Sequence, residues 1–207
     1  MEAAEAVGFG LAFATLTISH DRESPLDLVL NAVKSAWARA RRGGPYEKLR
    51  SKHGLFGAVN VVEVSLGPHG WHAHVHAILV SRSKAGMRVC APALATRYER
   101  FLTADGFQVT KETAHVQDVH APQGLAEYLA ENWLRVSDED RRCATPFDLL
   151  KAAEAGDLGA AAKLFEWHRA ARGLQQGRVS RQLADKIRCA RSKGQGWRRF
   201  SHNREPN

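Results

Sequence analysis

Apolar and polar positions alternate, cluster and recur along this chain in a way that sets out its elements. Residues 8 to 19, GFGLAFATLTIS, mix aromatic, branched and threonine side chains and predict a buried strand. Ser24-Pro25 predicts a capped helix start, and Leu28, Val29, Ala32, Val33 and Ala36 to Trp37 supply an apolar stripe at helical spacing. Arg41-Arg42-Gly43-Gly44-Pro45 then reads as the loop that ends this helix. Residues 55 to 66 are valine-rich, and 71 to 81 form a second apolar run. Gly67-Pro68-His69-Gly70 between them predicts a hairpin turn.

A helix is expected over about 91 to 104, beginning at Pro92. Residues 114 to 119 predict a short fourth strand, and 122 to 136 a helix. Beyond Asp138 the pattern predicts short helices at about 146 to 154, 158 to 172 and 180 to 190, then a basic Gly-rich tail. The order β-α-β-β-α-β-α predicts an α+β protein with one open, mainly antiparallel sheet and helices on one face. The expected organisation is a core over 1–137, a helical extension over 138–190 packed on it, and a flexible tail over 191–207.

Composition narrows the function. With 207 residues, 44% hydrophobic and 25% charged, the chain is long enough for one globular domain and too apolar for wholesale disorder. No run is long and apolar enough for a membrane helix, and the acidic N-terminal residues do not suit a secretory signal. Cys90, Cys143 and Cys189 are odd in number and far apart, which argues against a disulfide framework and for a reducing, cytoplasmic setting. The net charge of +8 predicts an anionic partner, nucleic acid ahead of a membrane surface. That charge is uneven. Nine basic residues against two acidic ones from Arg178 onward give +7, and six against one from Arg39 to Lys52 give +5. Arg39, Arg41, Arg42, Lys48, Arg50, Arg178, Arg181, Arg188 and Arg191 are the expected nucleic-acid contacts.

Candidate chemistry lies in Gly70-Trp71-His72-Ala73-His74-Val75-His76. Side chains on a strand alternate faces, so His72, His74 and His76 project from one face and Ala73, Val75 and Ala77 from the other. Three imidazoles in a row make a poor core, but neutral imidazole is a good donor to a divalent metal. Counting back through the hairpin places Glu63 opposite about His74, where its carboxylate would complete a ligand set that leaves positions open for catalysis. On the helix at 122 to 136, Tyr128 and Asn132 are i,i+4 neighbours with Glu131 beside them. A phenol is a weak nucleophile at neutral pH unless a nearby cation lowers its pKa.

Together these motifs resemble the HUH endonucleases, and within them the rolling-circle replication initiators of small plasmids. Phe13 to Thr17 (FATLT) is similar to the family's first motif. Gly70 to Leu79 is similar to the second, whose metal-binding histidines fall at His74 and His76. Tyr128 falls at the nucleophile of the third. TPFDLL, at 145 to 150, resembles a segment common in these plasmid proteins, so the likeness spans about residues 8 to 190.

The resemblance implies Mg²⁺ or Mn²⁺ held by His74, His76 and Glu63, with His72, Glu131 and Asn132 as accessory residues. It implies single-stranded or hairpin origin DNA as substrate, a 5′-phosphotyrosine link to Tyr128 and a 3′-hydroxyl primer. With no phosphate-loop motif in the chain, unwinding and synthesis would fall to a host helicase and polymerase. Two departures stand out: Glu131 occupies a position where the family usually has lysine, and Asn132 one where some relatives have a second tyrosine. The alternatives are a non-catalytic nucleic-acid-binding module with a vestigial metal site, or a related transposase or relaxase.

Overall fold

The computed structural model describes residues 9–118 and 143–192, with side chains described as far as 189. Among them are five strands and six helices: β1 (Gly10–Leu16), α1 (Leu26–Ala40), α2 (Gly43–His53), β2 (Leu55–Gly67), β3 (Gly70–Ser81), α3 (Lys84–Ala104), β4 (Ala114–Asp118), α4 (Pro146–Glu154), α5 (Leu158–Ala170), β5 (Gly177–Val179) and α6 (Arg181–Ser192). The strands form one open sheet in the order β4-β1-β3-β2-β5, and every neighbouring pair is antiparallel. Its first four strands follow the split β-α-β order, in which α1 and α2 cross from β1 to β2, and α3 crosses from β3 to β4.

Strand alternation gives the sheet two unlike faces. Ala12, Ala14 and Leu16 of β1 and Ala73, Val75, Ala77 and Leu79 of β3 belong to the main hydrophobic core. Against them pack Leu26, Val29, Leu30, Val33, Ala36 and Trp37 of α1 and Met87, Cys90, Leu94, Tyr98 and Leu102 of α3. Small alanines on the strands admit large side chains from the helices, which is how a sheet and two helices reach interior density. Leu149 of α4 and Ala160 of α5 belong to the same core. The Tyr98 side chain is fully buried, and its hydroxyl donates to the Thr17 carbonyl at 2.7 Å.

Several expectations are corrected. The helix expected to begin at Pro92 begins at Lys84; the Ser83 hydroxyl accepts from the Gly86 N–H at 3.0 Å, and Pro92 lies exposed within the helix. Ser24 does not cap α1. Its hydroxyl bonds Asp21 instead, and the Leu26 N–H is met by Glu166 Oε1, 2.9 Å away on α5. Gly43-Gly44-Pro45 is not a loop but the first turn of α2, a helix the sequence did not announce. Tyr46, the next residue, is buried on α2 at 6% exposure. The short edge strand β5 was not foreseen either, and the first strand is shorter than 8 to 19.

The hairpin closes through Pro68-His69, as the turn residues suggest. TPFDLL owes its local form to a capping box: the Thr145 hydroxyl accepts from the Asp148 N–H, and the Asp148 carboxylate accepts from the Thr145 N–H at 2.7 Å. The helix expected at 122 to 136, with Tyr128, Glu131 and Asn132, lies outside the described residues, as do the tail from 193 onward and the Arg191 side chain.

Candidate metal centre

The face of the sheet opposite α1 and α3 carries the histidines. In the β2–β3 ladder Ser65 pairs with His72, Glu63 with His74 and Val61 with His76; in the β1–β3 ladder Thr15 pairs with His76. Directly paired residues point to the same side, so a two-residue period along three adjacent strands gathers Thr15, Glu63, His74 and His76 on one surface.

Glu63, His74 and His76 each offer one donor atom, and these atoms lie within 4.8 Å of one another. His76 is buried, its Nε2 2.8 Å from Glu63 Oε2 and its Nδ1 3.3 Å from the Thr15 hydroxyl. The Phe13 ring stacks parallel to the His76 imidazole at 5.4 Å between centroids. This imidazole is thus fixed by a carboxylate, a hydroxyl and an aromatic plane. Burial pushes the His74 pKa down to about 4; neighbouring His76 acts in the same direction, Glu63 opposes it, and His72 and His20 add to the lowering. At neutral pH His74 is therefore uncharged, with a nitrogen lone pair free to donate.

Two imidazole nitrogens and one carboxylate oxygen suit a divalent first-row transition cation, from Mn²⁺ to Zn²⁺, and leave coordination positions for water or substrate. Among the described residues this is the one cluster of three or more such side chains close enough to share an ion.

His72 belongs to a different pairing. Its Nδ1 lies 3.2 Å from Nε2 of His20. The only hint of His20 in the sequence is its place just after the first strand, where the chain leaves the sheet beside β3. Burial lowers the His72 pKa, and His20 and His69 add to the shift. Gly67 packs closely here: a Cβ on it would come within 2.9 Å of both His72 Nε2 and Cys143 Sγ, so a side chain at this strand end would displace those groups. His69 is exposed in the turn.

The expected nucleic-acid contacts divide into two groups. Arg39 is tied to Asp105 and stacks over Phe101, Arg50 is paired with Glu47 at 2.7 Å, and Arg188 is paired with Asp185. Arg42, Lys48, Arg178 and Arg181 are exposed, and Arg41 is partly covered. Cys90, Cys143 and Cys189 form no disulfide, and among the described residues no helix is long and apolar enough to cross a membrane. Comparison with known proteins finds no family model, no curated protein and no solved structure that matches this chain.

Proposed function

We propose that this protein is a metal-dependent, site-specific endonuclease and strand transferase for single-stranded or hairpin DNA, of the kind that initiates rolling-circle replication. The observation that carries this reading is the convergence of Glu63, His74 and His76 on one face of a split β-α-β sheet, with His76 braced by Thr15. The resemblance of FATLT, GWHAHVHAIL and the tyrosine segment to HUH motifs supplies the substrate class and the nucleophile.

In this reading Glu63, His74 and His76 hold Mg²⁺ or Mn²⁺, which when bound polarises the scissile phosphate and favours the deprotonated phenol. The Tyr128 oxygen attacks phosphorus, the bond from phosphorus to the 3′-oxygen breaks, and that oxygen leaves as a 3′-hydroxyl after taking a proton. The DNA 5′ end then rests on Tyr128 as a phosphodiester. Attack by another 3′-hydroxyl reverses the sequence and rejoins the strand, with no nucleotide triphosphate consumed. Thr15 and Phe13 keep His76 in one orientation, so the site requires little rearrangement when the phosphate arrives.

The test incubates the full chain with a pool of labelled single-stranded and hairpin oligonucleotides and Mn²⁺, and looks for a denaturation-resistant protein–DNA adduct. Wild-type protein should form it, and His74→Ala, His76→Ala and Tyr128→Phe should not. An adduct that persists in Tyr128→Phe overturns the assignment of the nucleophile. DNA binding by the wild type with no adduct overturns the nicking reading.

A further inference from the structure

Sequence places the two basic segments more than 120 positions apart, yet the fold joins them. β5 pairs with β2 so that Arg178 lies opposite Asn60. Asn60 is buried, and its two amide atoms link the segments: Nδ2 donates to the Arg178 carbonyl at 3.3 Å, and Oδ1 accepts from the Trp37 indole at 2.7 Å. On that indole ring stacks the Arg41 guanidinium, 4.6 Å from its centroid. Arg97, from α3, donates to the carbonyls of Ala40 at 2.8 Å and Arg42 at 3.0 Å, and so holds the turn between α1 and α2 that presents Arg41 and Arg42.

Among the described residues none of these four arginines has a carboxylate partner, in contrast to Arg39, Arg50 and Arg188. Burial pulls the Arg41 pKa down to about 10; Tyr46 opposes the shift, and the charges of Arg178 and Arg42 add to it. A guanidinium crowded by like charge and part-desolvated is stabilised by an anion, and a planar fork on an aromatic shelf suits phosphate oxygens.

We propose that Arg41, Arg42 and Arg178 form one phosphate-binding surface at the β2–β5 edge, held in place by Trp37, Asn60 and Arg97, and that it grips the DNA backbone beside the cleavage point. This rests on the reading of the protein as a DNA-processing enzyme. Asn60 and Glu63 are three residues apart on β2, about 10 Å along the strand, and point to opposite faces. The phosphates held here are therefore flanking ones, passing around the sheet edge, and not the scissile one. Arg97 is a positioning residue; Arg41, Arg42 and Arg178 make the contacts.

The experiment measures binding of a fluorescent hairpin oligonucleotide to the full chain in EDTA, by anisotropy, across a salt series. Each lost phosphate contact lowers the slope of log affinity against log salt by about 0.7 for single strands and 0.9 for duplex. The exposed pair Arg42→Gln/Arg178→Gln should lower that slope by about 1.4 to 1.8 and weaken binding at least tenfold at low salt. A control, Lys111→Gln/Lys151→Gln, removes equal charge from exposed sites, one of them just before β4 at the opposite sheet edge. It should change the slope by less than half as much. Arg97→Gln should weaken binding with a smaller change in slope, and Arg97→Lys should restore part of it. Equal slopes for the two double variants overturn the proposal, as does vesicle binding to anionic lipid with no DNA binding. No cleavage occurs in EDTA, so the nicking reading can fail while this surface stands, or the reverse.

Discussion

His76 and Thr15 face each other across the β1–β3 ladder, with the Thr15 hydroxyl 3.3 Å from His76 Nδ1 while Nε2 is turned 2.8 Å from Glu63. A metal-ligating imidazole ordinarily has its second nitrogen engaged in this way, which fixes tautomer and ring orientation. Thr15→Val keeps the shape and removes the oxygen. Mn²⁺ affinity measured by titration calorimetry should fall about 10- to 100-fold while thermal unfolding of the metal-free protein changes little. An unchanged affinity would show that the hydroxyl does not orient the ring.

The ligand set makes a second, separable claim. An ion that binds only the folded chain at about 100 times its Kd adds about 2.7 kcal/mol of stability. Mn²⁺ should therefore raise the melting temperature of the wild type and of His72→Ala, whose Nδ1 is turned to His20 and not to the cluster. His74→Ala and Glu63→Gln should lose most of that rise. If His72→Ala abolishes it and His74→Ala does not, the cluster has been assigned to the wrong histidine.

The part of this arrangement that the sequence displays is the part with a two-residue period. Alternation in LFGAVNVVEVSL and GWHAHVHAILVS specifies both strands, and the short Pro68-His69 turn sets the register that puts Glu63 opposite His74. Helix α2 was not legible because Gly43-Gly44-Pro45 carries loop chemistry and its eleven residues bury little beyond Tyr46, which leaves no apolar stripe to see. Pro92 misled for a related reason. Proline favours a first turn, yet here α3 already runs from the Ser83 cap, and the proline lies on its exposed side. His20, Arg97 and β5 matter only through contacts between distant segments, for which local pattern has no signal.

Cys90 offers a check on the core that is independent of any ligand. It is fully buried against the sheet, and burial pushes its thiol up to about 11. Because the native pKa is raised, the reactive thiolate is a minority on the order of one in a thousand at pH 8, and grows only as pH approaches that value. Cys189 is exposed and Cys143 half-buried. Brief alkylation of the native protein at pH 8 followed by peptide mapping should label Cys189 first and Cys143 more slowly, with Cys90 labelled only after denaturation. Rapid labelling of Cys90 in the native state would mean that α3 does not pack on β1 and β3 as described.

Asn60 is the polar residue on which core and edge both depend. It is 7% exposed among apolar neighbours and reaches both the Trp37 indole and the Arg178 carbonyl. Asn60→Leu is close in volume but accepts no hydrogen bond, so the Trp37 N–H is left buried without an acceptor. Such an orphaned donor costs about 1 to 3 kcal/mol, to be read from urea unfolding. The same change removes a side-chain tether between β2 and β5, leaving the backbone ladder and the bond between the Ala58 N–H and the Ser180 hydroxyl to hold that edge. With Arg178 less fixed, DNA affinity in EDTA should drop, whereas Mn²⁺ affinity should stay close to wild type because Asn60 lies on the face opposite Glu63. Loss of metal binding together with DNA binding would instead mean that the two faces of the sheet are coupled through β2.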